Sequence, residues 1–222
     1  MLQPLKIIIA DDHPLFRQAL VNTLTTQFDQ PLLFEAETVT ALDEILTQHQ
    51  DADLLLLDLN IPNAHGFNTL VNIRNSYPHI GIVVISGQED KVTVGKAMSF
   101  GAAGFIPKSS PVEQMVKAIN AVMAGRQWTP PGCEDLSAVT LDSMSSKIAS
   151  LSPRQHKILM MFADGLLNKQ IAYELGLSEA TIKAHASAIF LKLGVHTRTQ
   201  AVIAMSQLYL DKTPLTAEVE EV

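Results

Sequence analysis

The chain has 222 residues, of which 47% are hydrophobic, and it contains a single cysteine, Cys133. This length lies between one domain and two, and the composition supplies enough apolar side chains for packed cores. One cysteine excludes an internal disulfide and any metal site built from several cysteines. No apolar stretch approaches the roughly 20 residues of a membrane helix, and the first residues show no signal-peptide pattern, so we expect a cytoplasmic protein without membrane contact.

The net charge of −7 is unevenly distributed along the chain. Residues 1–125 carry 7 basic and 13 acidic side chains, whereas residues 151–210 carry 6 basic and 3 acidic ones. The last stretch, 211–222, holds one lysine and four acids. An acidic first part and a basic second part predict two different functions, and the acidic tail is not expected to bind an anion.

The first half alternates apolar runs of strand length with amphipathic stretches of helical period. The apolar runs predict buried parallel strands at residues 6–10, 53–57, 81–85 and 104–106. The amphipathic stretches predict helices at residues 14–28, 38–49, 66–76, 90–100 and 111–124. This alternation predicts an α/β flavodoxin-like fold with a doubly wound, five-stranded parallel sheet, which we assign to residues 1–125.

Polar residues follow these strands at their carboxyl ends, where open parallel sheets bind ligands. They are Asp11 and Asp12, Asp58, Ser86 and Lys108. Crowded carboxylates need a cation, and an all-oxygen cluster suits Mg²⁺. With that ion bound, Asp58 can attack a phosphoryl donor and form an acyl phosphate. Lys108 can then pair with the phosphoryl oxygens, and Ser86 can donate a hydrogen bond to them.

Each of these residues has an ordinary structural explanation when it is taken alone. Acidic pairs after strands are common in loops and helix caps, and lone lysines are usually solvated. Four successive strand ends with a suitable group favour a phosphorylation pocket instead. A metal-dependent phosphohydrolase would share this pocket, but it usually needs a second acid two residues after the nucleophile, where this chain has Asn60. The seven histidines show neither HExxH nor paired-ligand spacing, which disfavours a zinc enzyme. We therefore expect a protein that is not an enzyme.

The second half is predicted to be helical. Residues 126–150, rich in Pro, Ser and Thr, predict an interdomain linker with a short helix near its end. The helices that follow are predicted at 153–164, 168–175, 179–193 and 199–210, with Gly176 in the turn after the second. We assign residues 151–210 to a small all-α, four-helix helix-turn-helix domain and residues 211–222 to an acidic C-terminal tail.

The whole first half resembles the receiver domains of two-component response regulators. The matching stretches are Ile9-Ala10-Asp11-Asp12-His13-Pro14-Leu15-Phe16-Arg17 and Leu57-Asp58-Leu59-Asn60-Ile61-Pro62 with Gly66. The resemblance implies that Asp12 and Asp58 bind Mg²⁺ directly, that Asn60 adds its backbone carbonyl, and that Asp11 acts largely through water. It further implies that a partner sensor histidine kinase phosphorylates Asp58.

The same resemblance assigns two residues to the response that follows phosphorylation. Ser86 takes the position of the family's hydroxyl residue, which moves toward the phosphoryl group. Phe105 takes the switch position, where an aromatic ring turns inward as that hydroxyl moves.

Residues from Leu151 onward resemble the LuxR-type helix-turn-helix of NarL/FixJ regulators. The matching stretches are Leu151-Ser152-Pro153-Arg154-Gln155, Gly165-Leu166-Leu167-Asn168-Lys169-Gln170-Ile171-Ala172, Leu177-Ser178-Glu179-Ala180-Thr181-Ile182-Lys183-Ala184-His185, Lys192-Leu193-Gly194-Val195 and Arg198-Thr199. The third helix keeps Ile182, Ile189 and Leu193 for the core, which leaves Thr181, Lys183, Ala184, Ser187 and Lys192 for a DNA groove. The resemblance implies base contacts by Lys183, Ala184 and Ser187, and phosphate contacts by Lys169, Lys192 and Arg198.

Together these patterns predict a DNA-binding transcription factor that phosphorylation switches. Phosphorylation is expected to release the DNA-binding domain and to favour a homodimer on promoter DNA, with RNA polymerase as a further partner. The apolar residues of the last helix either pack in the core of the helix-turn-helix domain or form the contact between the two copies of the dimer. A regulator whose DNA binding does not depend on phosphorylation would show the same sequence patterns. A receiver that acts only through protein partners would not need the helix-turn-helix.

Overall fold

The structure is a computed structural model that describes residues 4–64, 66–133 and 143–206. The chain divides into two compact units, Met1–Lys157 and Ile158–Val222. Within the described residues, no helix combines the length and the apolar character that crossing a membrane requires.

The first unit contains a five-stranded sheet in which every neighbouring pair of strands is parallel. The strands are β1 (Lys6–Ala10), β2 (Leu32–Ala36), β3 (Leu54–Asp58), β4 (Gly81–Ser86) and β5 (Gly104–Pro107). Their order in the sheet is β2-β1-β3-β4-β5. The chain adds β2 on one side of β1 and β3 on the other, so the direction in which strands are added reverses between β1 and β3. The predicted flavodoxin-like fold is confirmed, and the carboxyl ends of β1 and β3 flank its switch point.

Helices connect these strands and continue beyond the sheet. They are α1 (Pro14–Gln27), α2 (Val39–Gln48), α3 (Phe67–Ser76), α4 (Lys91–Ser99), α5 (Val112–Met123) and α6 (Ser143–Ala149). The predicted bounds of α2 and α4 were too long because they included the caps. Thr38 accepts a hydrogen bond from the Ala41 N–H, and Asp90 accepts two from the Val92 and Thr93 N–H groups.

The sheet is buried on both faces, as its continuous apolar strands predict. On one face, residues such as Ile7, Ile9 and Leu54 form a core with α1 and α5. On the other face, the intervening residues such as Ile8 and Leu55 are fully buried as well. Packing on both faces holds the sheet in place, and this fixes the position of the residue at the carboxyl end of each strand.

The start of the predicted linker lies along the free edge of β5. The Trp128 N–H donates to the Ala103 carbonyl at 3.1 Å, and the Phe105 N–H donates to the Trp128 carbonyl at 3.1 Å. These bonds form a parallel bridge between Gly104 and Trp128. A Cβ on Gly104 would lie 3.1 Å from Val122 Cγ2, so glycine permits the close packing of α5 here. We call residues 127–129 the edge segment.

The residues before the unit boundary also pack within the first unit. Ile148 in α6 is fully buried, and α6 contacts α4. Beyond it, His156 Nε2 lies 3.3 Å from Asn68 Oδ1 of α3, and both side chains are fully buried. Burial disfavours the charged imidazolium and lowers the pKa of His156 from 6.5 to about 4.

We predict that His156 makes the first unit less stable in acid. Between pH 6.5 and about 4, unfolding lets this imidazole bind a proton that the folded state excludes, so the free energy of unfolding falls by about 3 kcal/mol across the window. The His156→Gln variant, which has no such group, should lack this part of the pH dependence. Urea denaturation at several pH values measures it, and the exposed His79→Gln variant is the control. Parallel pH profiles of wild type and His156→Gln would contradict the prediction.

The second unit is helical, as predicted. Its helices are α7 (Pro153–Ala163), which begins before the unit boundary, α8 (Asn168–Leu175), α9 (Glu179–Leu193) and α10 (Arg198–Ser206). Gly176 ends α8 in the left-handed conformation at φ 62°, and Ser178 caps α9 by accepting from the Thr181 N–H. The predicted end of the last helix, residues 207–210, lies outside the described residues, as does the acidic tail. The predicted domain limits at 125, 150 and 210 stay a prediction.

Candidate functional site

The carboxyl edge of the sheet brings the predicted acidic residues together. Asp11, Asp12 and Asp58 lie with His13 such that one potential ligand atom of each is within 4.8 Å of the others. Asp11 and Asp58 are almost completely buried, each 2% exposed. We call these four residues the acidic pocket. Parallel strands produce this cluster because the chain leaves β1 and β3 at the same edge.

Lys108 closes the acidic pocket from the end of β5. Its Nζ lies 2.8 Å from Asp11 Oδ2 and donates a hydrogen bond of 2.9 Å to Asp58 Oδ2. Burial by itself would lower the pKa of Lys108, but its interactions with Asp11 and Asp58 outweigh that effect and raise the pKa. The ammonium therefore stays charged and is the counter-ion of two buried carboxylates.

The carboxylates keep oxygens available for a further cation. Asp11 Oδ2 is buried and accepts no hydrogen bond, although the Lys108 ammonium pairs with it at 2.8 Å. Asp12 Oδ1 is likewise buried without a hydrogen-bond donor. One ammonium beside three carboxylates leaves an excess of negative charge, which is costly to bury unless a further cation binds. Together with Asp58, these two oxygens match the oxygen ligands that Mg²⁺ prefers, so these residues fit the predicted ion.

Asp58 and Asn60 are held in a tight loop after β3. The Asn60 N–H donates to Asp58 Oδ1 at 2.9 Å, which leaves Asp58 Oδ2 facing Lys108. Asn60 itself is exposed. The predicted use of its backbone carbonyl as a metal ligand stays a prediction.

Arg17 supports the acidic pocket, a role that no sequence pattern predicted. This arginine of α1 is only 9% exposed, and its Nη1 donates to the Asp11 carbonyl at 2.7 Å. Its Nε donates to Glu35 Oε2 at 2.9 Å, and its Nη2 donates to Glu37. The guanidinium thus fixes the end of β1 against residues at the end of β2. No sequence pattern indicated this contact, because the partners of Arg17 all lie outside α1.

Ser86 ends β4 and Phe105 lies in the neighbouring strand β5, and the roles predicted for them stay predictions. Ser86 is 1% exposed, its Oγ accepts from the Gln88 N–H at 3.1 Å, and its carbonyl accepts from the Lys108 N–H at 2.8 Å. Phe105 is fully buried, so its ring points inward. The backbone of Phe105 bonds to the edge segment, which connects β5 with the start of the predicted linker.

The second candidate site is the surface of α8 and α9. Ile182, Ile189 and Leu193 are fully buried, as predicted from the period of α9. The exposed residues at predicted DNA-contact positions are Lys169, Lys183, Ala184, Ser187 and Lys192. Thr181 is half-buried and its Oγ1 lies 2.8 Å from Ser178 Oγ in the cap of α9. These placements are compatible with a helix that enters a major groove, and the contacts themselves stay predictions.

Arg198 makes contacts inside the second unit. Its guanidinium donates to the Phe162 and Leu166 carbonyls and lies 4.5 Å from the centre of the Phe162 ring. Burial lowers the pKa of Arg198 from its ordinary value. The arginine thereby ties the start of α10 to the end of α7, and its predicted phosphate contact stays a prediction.

Comparison with known proteins gives the same two parts. Residues 7–120 match the family model described as "Response regulator receiver domain", and residues 149–205 match "Bacterial regulatory proteins, luxR family". The "Glycerol metabolism activator" of Pseudomonas putida is 41% identical over 91% of this chain and 96% of its own length. The "Nitrate/nitrite response regulator protein NarL" of Escherichia coli K12 is 30% identical over 92% of this chain and 96% of its own.

Solved structures of the RcsB response regulator are similar as well. The Salmonella typhimurium RcsB structure has a TM-score of 0.57 at 26% identity, and it covers 93% of this chain and 100% of that one. A structure of two RcsB dimers bound to two parallel DNAs has a TM-score of 0.54 at 27% identity, with coverage of 92% and 98%. The resemblances to the receiver and to the LuxR-type domain are thus confirmed.

Proposed function

Because this chain belongs to the response regulators that join a receiver domain to a LuxR-family DNA-binding domain, we propose that phosphorylation of Asp58 switches its binding to promoter DNA. The phosphoryl group comes from a partner sensor histidine kinase. One observation carries the proposal: the buried Asp58 carboxylate lies beside Asp11, Asp12 and the Lys108 ammonium at the ligand-binding edge of the sheet. The family is one of transcription regulators and not an enzyme class.

The chemical step is a transfer to the Asp58 carboxylate. One carboxylate oxygen attacks the phosphorus of the donor, a P–O bond forms, and the bond to the leaving group breaks with its electron pair on that group. Asp11, Asp12 and Asp58 would hold Mg²⁺, which supplies positive charge against the incoming phosphoryl oxygens. Lys108 pairs with those oxygens after the transfer, because the ammonium already lies within 2.9 Å of Asp58.

The phosphoryl group then acts on the ends of β4 and β5. The Ser86 hydroxyl turns to donate to a phosphoryl oxygen, and it gives up its contact with the Gln88 N–H. Lys108 moves with the same group, and the Ser86–Lys108 backbone bond couples the two strand ends. We propose that Phe105 passes this shift through its bond with Trp128 to the linker. Phosphorylation thereby releases the DNA-binding domain.

DNA binding uses the exposed face of α9. Lys183, Ala184 and Ser187 face base edges, while Lys169 and Lys192 contact phosphates. Small side chains at two of the three reading positions favour modest direct readout, with DNA shape and phosphate contacts contributing much of the selection. The RcsB dimers on DNA support a homodimer for this chain. The relative described as an activator favours a productive contact with RNA polymerase.

A binding experiment tests the proposed function. The full chain is incubated with Mg²⁺, with or without a small acyl-phosphate donor, and its affinity for genomic fragments is measured across a salt series. We expect the donor to tighten binding, and binding to weaken as salt rises. Binding that the donor leaves unchanged would retain the DNA-binding part and reject the switch. Absence of salt-sensitive DNA binding would reject both.

We predict that Lys169→Ala weakens DNA binding without changing sequence preference. Removal of one phosphate contact should lower affinity about equally for all fragments and reduce the slope of log affinity against log salt by about 1. The control Lys117→Ala removes the same charge from exposed α5 of the first unit and should leave the slope unchanged. A slope for Lys169→Ala that equals the wild-type slope would contradict the prediction.

A further inference from the structure

The acidic pocket contains an imidazole for which the mechanism above has no use. His13 Nδ1 lies 2.9 Å from Asp12 Oδ1, 3.2 Å from Asp11 Oδ1 and 3.9 Å from Asp58 Oδ2. It also lies 3.1 Å from Lys108 Nζ. The ring therefore turns this nitrogen toward the carboxylates, although most of the side chain is exposed.

The backbone holds His13 in this place. Its N–H donates to Asp11 Oδ1 at 2.8 Å, and Pro14 follows as the first residue of α1. His13 occupies the cap position of α1, yet its side chain makes no hydrogen bond to the N–H groups of the helix. The imidazole is thus free of the usual capping role and remains directed at the pocket.

An independent observation points to a ligand at this place. Asp11 is 2% exposed, and its Oδ2 accepts no hydrogen bond inside the pocket. The Lys108 ammonium lies 2.8 Å from that oxygen, but one ammonium does not neutralise three clustered carboxylates, so a further cation would stabilise the pocket. Three carboxylates and one imidazole nitrogen then surround the same small volume, with their ligand atoms within 4.8 Å of one another.

We propose that His13 is an additional protein ligand of the metal ion in this pocket and determines which metal the pocket prefers. The inference rests on the proposed function, since it concerns the same site. Carboxylates suit Mg²⁺, Ca²⁺ and Mn²⁺, whereas imidazole suits Ni²⁺, Cu²⁺ and Zn²⁺. His13 therefore lets the pocket bind these later divalent ions more tightly than a pocket of carboxylates alone.

The proposal predicts opposite outcomes for two ions. Mg²⁺ keeps several of its waters and binds through one or two carboxylates, so loss of the imidazole should change its affinity by about twofold at most. Without the imidazole, Ni²⁺ loses a nitrogen ligand. The affinity of the pocket for Ni²⁺ should then fall on the order of tenfold or more, as it does when residues that support metal ligands are replaced. The relative affinity of the pocket for Ni²⁺ and Mg²⁺ therefore depends on His13.

The test compares His13→Asn with His79→Asn in the full chain. Asparagine is a favourable capping residue, so the first variant keeps the start of α1. His79 is exposed and precedes β4 at the opposite edge of the sheet, so its variant controls for binding to other histidines. Calorimetry gives the affinities for Ni²⁺ and Mg²⁺, and pulsed electron paramagnetic resonance with one equivalent of Cu²⁺ detects an imidazole nitrogen bound to the metal.

We expect His13→Asn to lose the nitrogen signal and the tight Ni²⁺ site while it keeps Mg²⁺ affinity, and His79→Asn to behave as wild type. Equal Ni²⁺ affinity in wild type and His13→Asn, or an unchanged nitrogen signal, would overturn the proposal. An equal loss for Mg²⁺ and Ni²⁺ would also overturn it, because His13 would then only position the carboxylates. These metal-binding measurements do not depend on phosphorylation. A failure of the metal proposal is therefore distinguishable from a failure of the Asp58 switch, which the DNA-binding experiment tests.

Discussion

Replacement of Asp58 by asparagine is expected to lower phosphoryl transfer from a small acyl-phosphate donor by a factor on the order of 10³ or more. The amide has nearly the same shape as the carboxylate, but it is a poor nucleophile and carries no charge for a metal ion. Phosphate-affinity electrophoresis measures the phosphorylated fraction. The donor should then have no effect on the DNA affinity of this variant.

Asp51→Asn is a matched control for this variant. Asp51 is an exposed acid that pairs with Lys6 at the opposite end of the first strand, so its loss leaves the acidic pocket intact. The control should be phosphorylated and respond to the donor as the wild type does. Wild-type phosphorylation of Asp58→Asn would show that another residue accepts the phosphoryl group.

Replacement of Lys108 by methionine is expected to change two measurements in opposite directions. The ammonium lies 2.8 Å from Asp11 Oδ2 and 2.9 Å from Asp58 Oδ2, so it competes with a divalent ion for both carboxylates. Its removal should raise Mg²⁺ affinity by roughly tenfold, because one competing charge near 3 Å is lost. The response of DNA binding to phosphorylation should disappear, because the phosphoryl oxygens lose their charged partner.

Calorimetry and DNA binding measure the two effects on the same preparation. Lys117→Met is the control, since it removes an exposed lysine of α5 and should leave both quantities unchanged. Lys108→Arg keeps the charge and should retain low Mg²⁺ affinity. A fall in Mg²⁺ affinity in Lys108→Met, or a persistent DNA response, would contradict the assigned role of the lysine.

The hydrogen bonds that a phosphoryl group on Asp58 would make have about the free energy that the proposed switch requires. Shifting a two-state equilibrium from 1:99 to 99:1 takes about 5.5 kcal/mol of differential stabilisation. Hydrogen bonds to charged groups contribute about 1.5–3 kcal/mol each. In the proposed switch, Lys108 and Ser86 would provide most of this energy between them, so neither contact alone is expected to shift the equilibrium that far.

The fold and the meeting of the acidic residues at one edge of the sheet follow from the sequence pattern alone. Apolar runs without alternation require strands buried on both faces, and parallel strands place their carboxyl ends at one edge. Asp11, Asp58 and Lys108 could therefore be predicted to meet, and the structure places them within hydrogen-bond distance. Helix periods likewise predicted which residues of α9 are buried. The DNA contacts and the domain limits are still predictions.

The pairs of polar atoms that meet across long stretches of chain could be known only from the folded molecule. Periodicity reports which face of an element is apolar, but it carries no information about the partner of a polar side chain on another element. Lys108 and His13 are 95 positions apart, and His156 and Asn68 are 88 apart. The bond between the edge segment and Phe105 is of the same kind, since a linker composition cannot show which strand edge it covers. Packing of the whole domain fixes such pairs, because the sheet and its helices must be in place before those atoms come within reach of each other.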